Sequence, residues 1–124
     1  MEKSTLFGFY GINLDSRYTL KLNSDFRRLY SKGKSSVSPY FVVYSRPNGT
    51  EINRVGYTVS SKLGHAVVRN RIRRRFREIY RLSSSVLNGG YDIVIVARHK
   101  SEHAPFDVME SAFIGCCEEL GITK

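Results

Sequence analysis

The 124-residue sequence contains no tryptophan, three prolines and two cysteines. Because Cys116 and Cys117 are adjacent, they cannot close an ordinary intrachain bridge, and they lack the spacing of a metal pair or a redox motif. No stretch approaches the ~20 apolar residues that a membrane-spanning helix needs. The short apolar run 6–12 is not followed by a small-residue cleavage site. We therefore expect a cytoplasmic protein without disulfides and without a membrane partner.

Acidic residues are also scarce. The chain has 11 Asp and Glu against 20 Lys and Arg, a net charge of +9 and an isoelectric point of about 9.8. Such a charge attracts polyanions, with nucleic acid the first candidate and an anionic membrane surface the weaker one. The hydrophobic share of 41% is typical of a soluble domain, and the length suits a single core.

The positive charge is concentrated in one segment. Between positions 69 and 81 lie seven arginines and one acid, Glu78, so these 13 residues carry +6 of the net +9. Apolar residues recur there at helical spacing, which predicts an amphipathic helix over 65–82. Like charges at i, i+4 destabilise an isolated helix, whereas guanidinium groups bind phosphate oxygens in pairs. The segment predicts a phosphate-binding face, and the alternative is a solvated face that only aids solubility.

The other patterns predict the fold class. Helices are expected at 23–32, with Gly33 as the residue after the helix end, and from Pro105 onward. Strands are expected at 35–38, 39–46, 54–60 and 91–98, the last covered on both faces because its apolar run is unbroken. The prediction is an α/β (α+β) two-layer sandwich in the order α-β-β-β-α-β-α, with helices packed on a four-stranded sheet. Residues 1–19 are expected to form a weakly ordered extension and 20–124 the domain.

A motif opens the arginine-rich helix. It has the form S-x-K-x-G-x-A-V-x-R-N-R-I-R-R and resembles the signature of the protein subunit of bacterial ribonuclease P. The flanking patterns agree with this family over roughly Leu20 to Leu120. The matching residues are Ser60, Lys62, Gly64, Ala66, Val67, Arg69, Asn70, Arg71, Ile72, Arg73 and Arg74.

The resemblance implies a small basic subunit that binds a catalytic RNA and helps it to remove the 5′ leader from precursor tRNA. Hydrolysis would belong to the RNA and its Mg²⁺ ions, so the protein itself would hold no catalytic residue and no metal. The expected partners are ribonuclease P RNA, in a 1:1 complex with a protein monomer, and precursor tRNA. The resemblance also implies a mixed sheet with a left-handed βαβ crossover, against the general right-handed preference.

The resemblance assigns the arginine-rich helix to the catalytic RNA. Asn70 is of special interest because an amide both donates and accepts, and could contact a base edge, a 2′-hydroxyl or a hydrated metal. The competing interpretation of Asn70 is a local hydrogen bond at the helix start. The residues expected to bind the catalytic RNA are Arg69, Asn70, Arg71, Arg73, Arg74 and Arg77.

A cleft between the first helix and the sheet is implied for the single-stranded leader. Its matching residues are Phe26, Tyr30 and Tyr44, with Lys62 nearby. Aromatic rings beside cations suit many leader sequences, because every base has a π face. The competing interpretation is that these rings are core. The family often has two consecutive lysines where this chain has Ser61-Lys62, which removes one potential phosphate contact.

Two other function classes compete with this interpretation. A generic basic module of ribosomal type would bind RNA without a processing role. A protein nuclease would need a carboxylate or histidine centre, and the scattered acids do not have the spacing for two-metal hydrolysis. His99 and His103 are four residues apart, but no cysteine or carboxylate ligand set accompanies them.

Overall fold

The structure of the chain is a computed structural model and describes residues 19, 20 and 23–124. The predicted fold class and element order are confirmed. Residues 1–18 of the expected extension lie outside the described residues. Within the described part, no helix is long and apolar enough to cross a membrane. The elements are α1 (Asn23–Lys32), β1 (Lys34–Val37), β2 (Phe41–Pro47), β3 (Arg54–Thr58), α2 (Ala66–Ser83), β4 (Tyr91–Ala97) and α3 (Phe106–Leu120).

The sheet is mixed and has the strand order β1-β2-β4-β3. The pairs β1/β2 and β2/β4 are antiparallel, whereas β3 and β4 are parallel and joined through α2. Thr19 pairs with Val55 on the outer side of β3, where the Leu20 amide donates to the Val55 carbonyl at 3.1 Å. The left-handed sense of the β3–α2–β4 crossover stays a prediction.

The main core lies between the sheet and the two long helices, α2 and α3. Successive residues of a strand point to opposite faces, and Ile93 and Ile95 of β4 belong to this core. The Phe41 ring meets the rings of Phe76 and Phe113 edge-on, with centroids 5.6 and 6.3 Å apart. Such T-shaped pairs add to the stability that area burial provides.

The two cysteines are part of this core. Both are free and buried on the inner side of α3. Burial raises the pKa of the Cys116 thiol, and it raises the pKa of Cys117 to about 12. Both thiols are therefore protonated at neutral pH and behave as small hydrophobic side chains.

Helix α1 covers part of the opposite face of the sheet. It packs through a small buried cluster of Leu20, Leu29 and Val94. Two glycines allow the close approach. A Cβ at Gly33 would lie 2.6 Å from the Leu29 carbonyl oxygen, and one at Gly56 would lie 2.8 Å from the Phe26 ring. Gly33 does follow the helix end as predicted, but it lacks the left-handed conformation of a common helix cap, and its small size is what the position requires.

An ion-pair network ties α1 to the first residues of β3 and β4. Asp92 is buried and accepts two hydrogen bonds from Arg54, Nε to Oδ1 at 2.8 Å and Nη2 to Oδ2 at 2.7 Å. The Asn48 amide also donates to Asp92, at 3.0 Å. Asp25, in the first turn of α1, lies 4.0 Å from Nη1 of Arg54. The hydrogen bond with Asp92 raises the pKa of Arg54, so this cation remains charged and holds the helix to the sheet.

Alanine substitutions at two glycines test how closely α1 packs on the sheet. Gly56→Ala is expected to lower the free energy of unfolding by about 1–3 kcal/mol, because the methyl would collide with the Phe26 ring. Gly115→Ala, within α3 and with open space around the added Cβ, should raise it by about 0.5–1 kcal/mol. Urea denaturation measures both. Equal effects of the two substitutions would contradict the contact between Phe26 and the β3 backbone.

Candidate RNA interface

The first candidate interface is the polar side of α2, here called the arginine surface and made of Arg69, Asn70, Arg71, Arg73, Arg74 and Arg77. Its opposite side is the apolar stripe of Ile72, Phe76 and Ile79, which is buried against the core as predicted. The helix places all six predicted residues on one continuous arc away from that stripe.

Some arginines of α2 have partners that neutralise their charge or hold their side chains in place. Arg71 pairs with Glu102 at 3.0 Å, and Arg81 pairs with Glu78 one turn earlier. Arg75 donates to the Ala104 carbonyl. The contacts of Arg71 and Arg75 hold the helix against the loop before α3, and the two ion pairs reduce the net charge of the helix.

A second group of arginines lies in a row along α2 at i, i+4 spacing and consists of Arg69, Arg73 and Arg77. Burial lowers the pKa of Arg73, and the charges of Arg69 and Arg77 lower it further. The Nε atom of Arg69 is buried without a hydrogen-bond partner among the described residues. The charge of Arg77 acts on the buried Tyr57 hydroxyl, whose pKa is strongly raised by burial. The row therefore concentrates positive charge in a partly desolvated place, where a bound anion would relieve the repulsion.

Asn70 lies inside the helix, beyond its first turn. The helix begins at Ala66, and His65 occupies the N-cap without a side-chain hydrogen bond. The interpretation of Asn70 as a helix-start residue is therefore wrong. Its exposed side chain accepts a hydrogen bond from Nη1 of Arg73 at 3.1 Å. This contact orients one guanidinium and leaves the amide hydrogens of Asn70 directed toward solvent or a ligand.

The second candidate interface is a cleft on the other face of the sheet, beside α1. The rings of Tyr30 and Tyr44 meet edge-on with centroids 5.0 Å apart. The Tyr30 hydroxyl lies 2.9 Å from the Thr58 hydroxyl, so the ring is fixed to both β2 and β3. Burial raises the pKa of Tyr30, which keeps it neutral, yet 41% of the residue is exposed. The pair forms an ordered, uncharged platform that solvent can reach.

The other two residues predicted for the cleft occupy different settings. Phe26 is half-buried, and its ring lies against the backbone of Gly56. Lys62 is exposed in the short turn Ser61–Leu63, where its amide donates to the Ser60 hydroxyl at 3.1 Å. This turn leads from the end of β3 to the start of α2. Phe26 therefore packs between α1 and β3, while Lys62 lies on the connection between the cleft side and the arginine surface.

The acidic side chains of the described residues do not gather into a metal site. Asp92, Glu78 and Glu102 each pair with an arginine. No group of three or more His, Cys, Asp or Glu suited to a metal ion occurs in the described part of the chain. The side chains that the structure describes therefore do not fit a magnesium site.

Comparison with known proteins identifies the family of the chain. The family model described as ribonuclease P matches residues 14–121. The chain belongs to the ribonuclease P protein family. A ribonuclease P protein component from Caldanaerobacter subterraneus subsp. tengcongensis is 45% identical over 93 residues, which are 75% of this chain and 80% of the relative. One from Clostridioides difficile is 47% identical over 88 residues, 70% of this chain and 77% of the relative.

Solved structures of this family have the same fold. The Staphylococcus aureus RNase P protein superimposes with a TM-score of 0.76 at 32% identity, covering 86% of this chain and 98% of that protein. The Thermotoga maritima RNase P protein gives a TM-score of 0.72 at 37% identity, covering 78% and 92%. A further Staphylococcus aureus structure is of a mutant with defective mRNA degradation activity, with a TM-score of 0.78 at 32% identity.

Sequence reasoning missed the residues that build the cleft from beneath. Gly56 and Thr58 contact Phe26 and Tyr30, and Arg54 with Asp92 fixes the start of both parallel strands. One signal was available, because a glycine within a strand pattern often marks close approach of another group. The pairing of Arg54 with Asp92, 38 residues apart, has no local signal.

Substitution of Arg73, the middle residue of the row, tests whether the charges of the row repel one another. At low ionic strength, Arg73→Met should leave the free energy of unfolding unchanged or raise it by about 0.2–0.5 kcal/mol per relieved pair. Sulfate should raise the Tm of the wild type more than that of this variant, because the anion binds the native charge cluster. Arg81→Met is the control, and it should be destabilising because the Glu78 pair is lost. An identical sulfate response in wild type and Arg73→Met would argue against the row as an anion site.

Proposed function

We propose that the chain binds ribonuclease P RNA through the arginine surface and the 5′ leader of precursor tRNA through the Tyr30–Tyr44 cleft. A subunit role in tRNA 5′ processing follows from membership of the family. The observation that carries the finer assignment is the placement of the two surfaces. Helix α2 packs on one face of the sheet and α1 on the other, so a structured RNA and a single strand can be bound at the same time.

The arginine surface suits a folded RNA with closely spaced phosphates. Arginine stays charged at every relevant pH and binds phosphate through paired N–H groups. The repulsion within the row of Arg69, Arg73 and Arg77 costs stability in the free protein, and RNA phosphates would remove that cost. Asn70 adds a neutral donor and acceptor among the cations, which suits a base edge or a 2′-hydroxyl.

The cleft suits an unpaired strand. Stacking on exposed rings requires bases that are not already stacked in a duplex, and it tolerates different sequences. The Tyr30 ring is held by Tyr44 and Thr58, so little side-chain entropy is lost when a base binds. Lys62, in the turn after β3, supplies a cation for the strand's phosphates.

In this proposal the chemistry of hydrolysis belongs to the RNA. Magnesium bound there supplies the metal-ion catalysis of phosphodiester cleavage, and the described side chains of this chain do not form a site for it. The protein acts as a monomer in a 1:1 complex with the RNA. Its cations lower the repulsion between the catalytic RNA and the precursor, an effect that is largest when few other cations are present.

Reconstitution tests the subunit role. Bacterial ribonuclease P RNA should cleave a leader-bearing precursor tRNA faster at low magnesium when this protein is added, and only at the mature 5′ end. The protein alone should leave the precursor intact. The protein-only control also tests whether the protein cleaves RNA by itself, since one solved Staphylococcus aureus structure is of a mutant with defective mRNA degradation activity. Tight RNA binding without stimulation would instead indicate the generic RNA-binding module.

Variants of the two surfaces should weaken binding of different RNAs. Arg74→Ala is expected to weaken binding of the catalytic RNA, because this exposed cation lies on the arginine surface. Tyr44→Ala should weaken binding of leader-bearing precursor by about 1–3 kcal/mol per stacked base and leave mature tRNA unaffected. Equilibrium binding of both tRNAs to the reconstituted holoenzyme measures the difference. Equal losses on precursor and mature tRNA would refute the assignment of the cleft.

A further inference from the structure

The loop between β4 and α3 contacts the border of the arginine surface. Nη1 of Arg71 lies 3.0 Å from Oε2 of Glu102, a residue 31 positions further along the chain. One turn further along α2, Arg75 donates to the carbonyl of Ala104 in the same loop. Two contacts that are one helical turn apart therefore fix this loop against α2.

The backbone that carries Glu102 is itself held in place. The neighbouring Ser101 is fully buried, and its hydroxyl donates to the Arg98 carbonyl at 2.7 Å. The Ser101 amide donates to the same carbonyl at 3.0 Å, and the Ala104 amide donates to the Lys100 carbonyl at 3.2 Å. The loop therefore sets the position of the acid, and the acid sets the position of the guanidinium.

The guanidinium is the outer partner of this ion pair. The side chain of Arg71 is 46% exposed, whereas that of Glu102 is 20% exposed. A partly buried carboxylate that lost its cation would keep an uncompensated charge where little water can reach it, which is costly. The other neighbour of Glu102 is Nε2 of His103 at 3.4 Å, on an exposed side chain that is charged only when it is protonated. An incoming phosphate is therefore more easily bound by the free side of Arg71 than exchanged for Glu102.

The pair leaves the phosphate-binding edge of Arg71 open. The Nε and Nη2 atoms of a guanidinium form one edge with two parallel N–H groups, which can bind a carboxylate or a phosphate bidentately. In Arg54 and Arg81 both atoms of this edge already donate to a carboxylate. Glu102 accepts from Nη1 of Arg71, and within the described part of the chain Nε and Nη2 of Arg71 donate to no other residue. Of these three paired arginines, Arg71 alone keeps the edge for a ligand.

We infer that Glu102 is a positioning residue for RNA binding: it holds Arg71 with the Nε–Nη2 edge directed outward and stays paired while that edge binds a phosphate of ribonuclease P RNA. The inference rests on the proposed RNA binding by the arginine surface and deepens it. An arginine side chain has many rotamers, so fixing it in the free protein removes the entropy cost of immobilising it on the RNA. The row of Arg69, Arg73 and Arg77 supplies attraction, whereas Arg71 supplies a contact of fixed geometry.

Two substitutions that remove the same negative charge test the inference in equilibrium binding of the full chain to ribonuclease P RNA. Glu102→Gln keeps an oxygen that can accept from Arg71, whereas Glu102→Ala does not. General attraction to RNA changes equally in both variants. Glu102→Ala should therefore bind about two- to tenfold more weakly than Glu102→Gln, which is the cost of immobilising one long side chain. If Glu102 competed with phosphate for Arg71 instead, both variants would gain affinity to the same extent.

The same two variants in the Arg71→Met background separate positioning from folding. The difference between Glu102→Gln and Glu102→Ala should disappear there, because the group that is positioned is gone. A difference that persists would mean that the alanine variant acts through the structure of the loop, and this result would overturn the inference. Equal affinities of the two variants in the wild-type background would overturn it as well.

Glu78 provides a matched control on the same helix. Its partner Arg81 lies outside the arginine surface, so Glu78→Gln and Glu78→Ala should bind the RNA equally. A difference as large as that between the two Glu102 variants would contradict a role specific to Glu102.

The RNA-binding measurements also distinguish failure of this inference from failure of the proposed function. If Arg71→Met and Arg74→Ala both leave RNA binding unchanged, the arginine surface is not the RNA interface. If Arg74→Ala weakens binding while Glu102→Gln and Glu102→Ala bind equally, the inference about Glu102 alone fails.

Discussion

The structure depends on one strand, β4, that is apolar on both faces. Ile93 and Ile95 pack beneath α2 and α3, while Val94 packs beneath α1. Because the strand lies between β2 and β3, it carries both antiparallel and parallel pairing. If β4 were apolar on one face only, α1 would have no apolar surface of this strand to pack against. The separation of the arginine surface from the tyrosine cleft, on opposite faces of the sheet, follows from this double burial.

The distribution of acidic residues explains where the positive charge remains. Two of the acids in the described part that pair with arginine join separate elements of the fold. Asp92 joins β4 to β3, and Glu102 joins the loop before α3 to α2. Arg69, Arg73 and Arg77 follow one another along α2, where burial and the charges of the other two arginines lower the pKa of Arg73. This row is part of the arginine surface that we propose to bind RNA.

Periodicity was enough to predict the elements, because the long segments bury one clear stripe or one unbroken run. The stripe of α2 has helical spacing, whereas the short length, β-branched residues and preceding glycines of the β4 run favour a strand. The six residues of the arginine surface came from the resemblance of the motif to the family. The details of the cleft did not follow, since they depend on contacts between distant residues. Tyr30 meets Thr58 across 28 positions and Arg54 meets Asp92 across 38, and neither pairing has a local pattern.

The cleft shows why such distant contacts matter for binding. One ring of its platform, Tyr30, lies on a ten-residue helix that packs on the sheet through a small buried cluster. Helices of this length are not stable alone, so their position is set by tertiary contacts. Here those contacts are the Phe26 ring on the Gly56 backbone and the Asp25–Arg54–Asp92 network at the helix start. Asp25, Arg54 and Asp92 do not need to touch RNA, yet together with Phe26 they fix the position of α1 on the sheet. Residues that hold α1 on the sheet therefore determine the width of the cleft that a single strand would enter.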